Sequence, residues 1–248
     1  MAEKTEMKVV LIRHTLSPEE LVALGAKLCY SRSTIANLSE RISSQDQGAF
    51  IEKLRNMGHE SIFEHASFTF GIEGVSRVLL AQLTRHRIAS FSVQSQRYVS
   101  YENGFGYILP PKIEALGEEA VKKYHEQMNQ IEGWYKEWQQ LLGKGEKSNE
   151  DARFVLPNAC ETRILMTMNV RELYHFFSLR MCNRAQWEIN EMATRMYRLC
   201  LETAPALFAD AGPACLRGRC PEGEKSCGQG EQKRQERKAL LESMTKGH

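Results

Sequence analysis

The sequence contains no run of about 18 consecutive apolar residues, the length that a membrane-spanning helix requires. Its first residues, Met-Ala-Glu-Lys-Thr-Glu-Met, are charged where a secretory leader would be apolar. A soluble cytoplasmic protein with no membrane partner is therefore expected. Charge of one sign is scarce too: 33 Lys and Arg face 31 Asp and Glu, and the net +2 argues against a general binder of polyanions. Neither an internal repeat nor a clear linker is visible, which points to one mixed domain. With 248 residues and 42% hydrophobic content, that domain can bury a sizeable core.

Paired cysteine spacings are also missing. The seven cysteines are odd in number and none stand at the C-x2-C spacing common in zinc sites. Cys29, Cys160, Cys182 and Cys200 lie singly in apolar or helical contexts, as reduced core thiols do. Cys215, Cys220 and Cys227 cluster with Gly and Pro, but three thiolates with gaps of four and six residues fall short of the usual four ligands. No metal is assigned, and these three are the candidates should one bind.

What is present reads as alternating strands and helices. Lys8-Val-Val-Leu-Ile12 is a strand-like run, and Ser17-Pro18 opens a helix toward Cys29 with Ser17 as its cap. Phe50, Ile51, Leu54 and Met57 mark a helix over 45–57, with Gly58 at the left-handed cap position and His59 just beyond. Phe68, Phe70 and Ile72 alternate as in a half-buried strand, and Ser76 caps the helix that follows. Extended chain is expected to resume over Tyr98–Tyr101. Helical spacing of large apolar residues runs from Ile113 to Leu142, as core or subunit contact, and a short helix begins at Asp151. Asn169 and Glu172 form a capping-box pattern, a last helix carries Ala185 to Thr203, and residues 228–248 read as a loose or partly helical tail.

The densest chemistry lies in Arg85-His-Arg-Ile-Ala-Ser-Phe-Ser-Val-Gln-Ser-Gln-Arg97. Arginine forks match phosphate oxygens, and serine hydroxyls with backbone amides complete such a cradle without bulk. A plainer reading puts Arg85, His86 and Arg87 in the last turn of the Ser76 helix, where cations favour the dipole. It leaves Ser90, Ser92, Ser95 and Arg97 unexplained. Composition alone keeps both readings open.

Arg85-His86-Arg87, then seven residues, then Ser95-Gln96-Arg97-Tyr98, resembles the signature of the flavin-dependent thymidylate synthases. The segment from Gly58 through His59, Glu60 and Ser61 to His65 is similar to that family's upstream segment. Asn169-Val170-Arg171-Glu172-Leu173, with Arg180 and Ala185-Gln186-Trp187-Glu188, is similar to its downstream one. The similarity spans about residues 8–208.

This resemblance implies an α/β (α+β) fold: a single mixed domain with a central antiparallel or mixed sheet flanked by helices, the thymidylate synthase-complementing fold. It would assemble as a homotetramer with active sites shared between subunits. Residues 1–212 would form the synthase domain and 213–248 a charged, Cys- and Gly-containing tail. The implied reaction is reductive methylation of deoxyuridylate (dUMP) to thymidylate. A methylene would come from 5,10-methylenetetrahydrofolate and a hydride from FAD reduced by NADPH, with small molecules rather than nucleic acid as partners.

Position by position, the resemblance makes Arg180 the catalytic group, a fixed guanidinium that stabilises the ionised N3 side of uracil so that C5 becomes nucleophilic. Without the family match, an interior ion pair at a helix end explains Arg180 as well. The remaining dUMP contacts would be Gln82, Leu83, Thr84, Arg85, Val93, Gln94, Ser95, Gln96, Arg97 and Arg153. Ser95 has no neighbouring base in sequence and is read as a hydrogen-bonding group, not a nucleophile. The FAD contacts would be His59, Ser61, Arg85, His86, Arg87, Asn169, Val170, Arg171 and His175, although His59 also fits as a cation at a helix end. Two positions depart from the family pattern: Val93 stands where an acidic or amide residue is frequent, and Arg184 where some relatives carry histidine. Two other functions remain open. One is an NADPH-dependent flavin reductase with a different acceptor; the other is a nucleic-acid binder with Arg85, Arg87 and Arg97 on phosphates and Phe91 and Tyr98 stacked on bases.

Overall fold

In the computed structural model, which describes residues 1–245, the chain runs in order through β1 (Glu3–Lys4), β2 (Lys8–His14), α1 (Pro18–Leu28), α2 (Ile35–Ser43), α3 (Gly48–Asn56), β3 (Ser67–Ser76), α4 (Arg77–Leu83), β4 (Ala89–Val93) and β5 (Gly106–Tyr107). Then come α5 (Pro111–Glu114), α6 (Glu118–Leu142), α7 (Glu146–Ala152), β6 (Glu161–Asn169), α8 (Val170–Arg180), α9 (Trp187–Thr203), α10 (Pro205–Phe208) and α11 (Gly230–Thr245). The main sheet has the order β2-β3-β6-β4, and β1 pairs in parallel with β5 in register Glu3 to Gly106. This is a mixed α/β fold.

Local chemistry sets the boundaries. The Ser76 hydroxyl accepts the Leu79 N–H and starts α4; the Asn169 side chain does the same for Glu172 and starts α8. At the end of α3, His59 N–H reaches Leu54 O and Gly58 N–H reaches Arg55 O, the paired bonds of a Schellman motif, with Gly58 at φ 72°. Ser17 departs from the expected cap. It sits at φ 43° and its hydroxyl makes no capping bond, so Pro18 and the acidic first turn open α1 instead.

Three stretches differ from the sequence reading, and the first is the short helix placed at Asp151, which spans Glu146–Ala152 as α7. Ile113–Leu142 is not one helix, because Gly117 at φ 98° separates α5 from α6. Residues 96–98 form a turn, and 98–101 belong to no strand rather than following an extended path. β6 was not foreseen: Thr162, Ile164, Met166 and Met168 alternate inward, but the two methionines are good helix formers and blur the strand signal.

Residues 1–9 and 71–166 form one compact unit, and 10–70 with 167 onward another; β2, β3 and β6 each give residues to both. The core of the first unit packs Tyr101, Phe105, Tyr107 and Leu109 against Met128 and Tyr135 of α6. Gly74 is required there, since it has φ 66° and an added Cβ would fall 2.0 Å from Glu6 O. The second unit is centred on Phe208, whose ring meets Phe68 edge-on at 5.3 Å and Phe177 at 6.2 Å. Of the cysteines read as core thiols, Cys160 and Cys200 are buried, but Cys29 is exposed at the end of α1 and Cys182 is half-buried. Among the described residues no helix is long and apolar enough to cross a membrane.

Candidate active site

The first unit gathers nearly all the residues matched to dUMP. α4 ends at Leu83, and the N–H groups of Thr84, Arg85 and His86 close on Leu80 O, Gln82 O and Leu83 O. Arg85, His86 and Arg87 therefore lie beyond the helix rather than in its last turn, yet close enough to face its negative end. Arg85 and Arg87 are exposed, and His86 is buried. Leu83 is fully buried, so only its backbone can meet a ligand. The Gln82 amide reaches Val78 O at 3.4 Å, and Thr84 Oγ1 donates to Leu80 O.

β4 then carries the chain to Gln94. Its N–H bonds Arg163 O on β6, and its own carbonyl accepts from Arg77 Nη2 at 3.2 Å. Val93 is half-buried in this strand. Ser95 Oγ accepts the Arg97 N–H at 3.2 Å, a local turn bond, and no base activates it in that geometry. The Arg97 carbonyl accepts from Asn149 Nδ2, and its guanidinium lies 2.7 Å from Glu146 and 3.3 Å from Glu150 on α7. Arg153 follows α7 directly and donates from Nε to Glu150 O at 3.1 Å. Arg97 and Arg153, 56 positions apart in sequence, thus meet at one helix.

Gln96 Nε2 donates to Cys160 Sγ at 3.5 Å. Burial pushes the Cys160 thiol up to about 11, against the smaller opposing effects of the Gln96 bond and the Arg77 charge. This thiol stays protonated near neutral pH and is a poor nucleophile there.

The second unit holds most residues matched to FAD. His59, fixed by the Schellman bonds, and Ser61, at the start of a 3-10 turn, line a cavity of about 650 Å³ with Arg41, Phe50, Lys53 and Met57. Arg171 pairs with Glu64 and lies 3.6 Å from Glu60, which ties the start of α8 to the His59–His65 segment. His175 is one turn further along α8, exposed on the same face as Arg171. Val170 is fully buried with its N–H on Ala66 O, and the Asn169 side chain holds the cap of α8.

Arg180, at the end of α8, is not grouped within this unit with the FAD residues. It lines a separate cavity of about 600 Å³ together with Arg184 and the chain from Pro213 to Arg234. Arg184, one of the two departures from the family pattern, pairs with Glu222. Cys182 lines this cavity as well. Sequence reading passed over it because a lone cysteine 33 positions before Cys215 carries no spacing signal.

Residues 10–206 match the family model described as thymidylate synthase complementing protein. A flavin-dependent thymidylate synthase from Geobacter sulfurreducens is 51% identical over 223 residues, which cover 90% of this chain and 94% of that protein. One from Clostridium tetani is 46% identical over 234 residues, covering 90% and 93%, and one from Pyrococcus furiosus 41% over 223 residues, covering 87% and 90%. Among solved structures, the UMP/dUMP methylase PolB from Streptomyces cacaoi, bound with 5-Br dUMP, superposes with a TM-score of 0.67 at 24% identity. That match covers 84% of this chain and 95% of PolB, and at such identity it speaks for the fold alone.

Proposed function

The chain belongs to the flavin-dependent thymidylate synthase family, and on that footing we propose that it methylates dUMP to thymidylate, drawing its one-carbon unit from 5,10-methylenetetrahydrofolate. Bound FAD, reduced by NADPH, supplies the hydride. The residues fit such a cofactor by their chemistry. Arg85 and Arg87 present exposed guanidinium forks suited to a diphosphate, while His59, Ser61 and His175 offer imidazole and hydroxyl groups to a polar ring edge. Arg171 is already held by two carboxylates and serves to position α8.

The observation that carries the reading is the meeting of Arg97 and Arg153 at α7, with Ser95 and Gln96 directly before Arg97 in the chain. Ser95, Arg97 and Arg153 would fix the nucleotide, and Arg180 would stabilise negative charge on the uracil. Cys160 touches this stretch but its raised thiol does not serve a covalent route through cysteine. Residues 1–212 would be the synthase domain and 213–248 its tail, in a cytoplasmic homotetramer whose sites draw on more than one subunit. Support for self-association comes from α6, which exposes Trp134, Trp138 and Leu141 along one side.

The test is reconstitution with FAD, NADPH, methylenetetrahydrofolate and dUMP, omitting each in turn and measuring thymidylate. Product that requires all four is expected. NADPH oxidation indifferent to dUMP, with no thymidylate, would transfer the protein to the flavin reductases.

A further inference from the structure

Four cysteines converge on the cavity beside α8. Cys182 lies in the turn between α8 and α9, Cys215 in the 3-10 turn Ala214–Leu216, Cys220 just before Pro221, and Cys227 shortly before α11. All four line the same cavity of about 600 Å³, and all are free thiols. The polypeptide is already drawn around them. Asn183 Nδ2 lies 3.8 Å from Cys227 Sγ, Arg234 Nη1 donates to Cys215 O at 2.9 Å, and Arg184 holds both Glu222 and, at 3.4 Å, Lys225 O.

From these positions we infer that Cys182, Cys215, Cys220 and Cys227 form a tetrathiolate site for a structural zinc ion.

Three features of the segment favour a cation there. From Arg217 to Gln229 every residue except Cys220 is exposed, so hydrophobic burial does not hold this loop, and small segments without a core depend on crosslinks or metals. The four thiols face one cavity and none is paired in a disulfide, so all four sulfurs are available to a cation there. A zinc tetrathiolate carries two negative charges, and apart from Arg180 the cavity lining sets Arg184, Arg219, Lys233 and Arg234 against Glu222 and Glu231, an excess of positive charge that balances them.

Among the described residues no three of these sulfurs lie within 4.8 Å of one another. A tetrahedral site with Zn–S bonds of about 2.3 Å needs them about 3.8 Å apart. Binding would draw in the exposed loop, while Cys182 is anchored by helices on both sides. The balance is simple: one Zn²⁺ replaces the protons of the four thiols, which are released to solvent. The crosslink would join the tail, which lies beyond the residues matched by the family model, to the turn that begins immediately after Arg180.

The experiment uses the full chain, expressed with added zinc and purified reduced and without chelator. Elemental analysis should give about one zinc per chain. Co²⁺ exchanged into the wild type should give the intense visible bands and thiolate charge-transfer absorption of tetrahedral sulfur coordination. Cys220→Ser with Cys227→Ser, both at loop positions outside any hydrophobic core, should remove the zinc while leaving the circular dichroism spectrum unchanged. Chelation should speed tryptic cleavage after Arg217, Arg219 and Lys225 in the wild type alone. Zinc well below one per chain after titration of the reduced protein, zinc retained in the double variant, iron in place of zinc, or cobalt bands lacking thiolate character would each overturn the assignment. The cobalt spectrum of the wild type decides the matter even if the variant folds poorly.

Discussion

The Arg97 guanidinium lies 2.7 Å from the Glu146 carboxylate, with Glu150 a further 0.6 Å away at 3.3 Å. A group proposed to hold the nucleotide is thus engaged by two acids on α7. Each of the three side chains is more than 40% exposed, so the pairing contributes at most about 1 kcal/mol. A dianionic phosphate can displace it, and the acids then act as competitors. Glu146→Gln should tighten dUMP binding by up to about fivefold, while Arg97→Ala should weaken it by about 10- to 100-fold. Titration calorimetry on the FAD-loaded protein reads both, and an unchanged affinity in Arg97→Ala would remove Arg97 from the phosphate site.

Arg180 has a separate signature. If its guanidinium stabilises developing charge on uracil, Arg180→Lys should lower kcat by about 100- to 1,000-fold, because a point-charge ammonium does not reproduce the planar fork. FAD occupancy and dUMP affinity should change far less than kcat. Near wild-type turnover in Arg180→Lys, measured with saturating substrates, would leave Arg180 as an ion-pairing residue at a helix end.

Much of this was legible in the sequence, and the gaps have physical causes. The caps at Ser76 and Asn169 and the left-handed Gly58 are local chemistry, so a few residues of sequence define them. β4 is different. It contains the alternating Ala89-Ser-Phe-Ser-Val93, but it becomes a strand only because β6 lies beside it, and β6 itself hides behind its two inward methionines. The meeting of Arg97 with Arg153 and of Cys182 with Cys215 depends on tertiary structure and leaves no trace in spacing. Family resemblance supplied the residues matched to dUMP; nothing comparable marked Cys182.

Cys160 gives a prediction in which the sign can be checked. Its folded-state thiol, at about 11, is raised above the ordinary value of 9.0. Between these two pH values the unfolded chain has lost the proton and the folded chain keeps it, so stability is full below pH 9 and falls as pH rises toward 11. The loss attributable to this group is about 2–3 kcal/mol. Tyr197, raised by burial to about 12, adds in the same direction at still higher pH. Urea denaturation of Cys160→Ala against wild type should show a flatter decline over that window, with thymidylate formation at neutral pH within a few-fold of normal. Parallel declines would show that the thiol does not carry the effect, and abolished turnover in a folded variant would give Cys160 a part in the chemistry.

The two sides of α6 make oligomerisation testable apart from catalysis. Met128, Glu132, Tyr135 and Gln139 are buried on one side, whereas Trp134, Trp138 and Leu141, about a third of a turn round the helix, remain 47%, 48% and 70% exposed. Large apolar side chains at i, i+4 and i+7 along an exposed face mark an interaction surface more often than a solvated one. Replacing Trp138 and Leu141 together by glutamate should therefore leave the helix intact, since its core face is untouched, and reduce the mass in solution from that of the proposed tetramer to a smaller species. Light scattering coupled to size exclusion reads the mass, and circular dichroism checks the fold. Activity should fall with the mass if sites are shared between subunits. A smaller species with full activity would confine each site to a single chain, and an unchanged tetramer would move the interface away from α6.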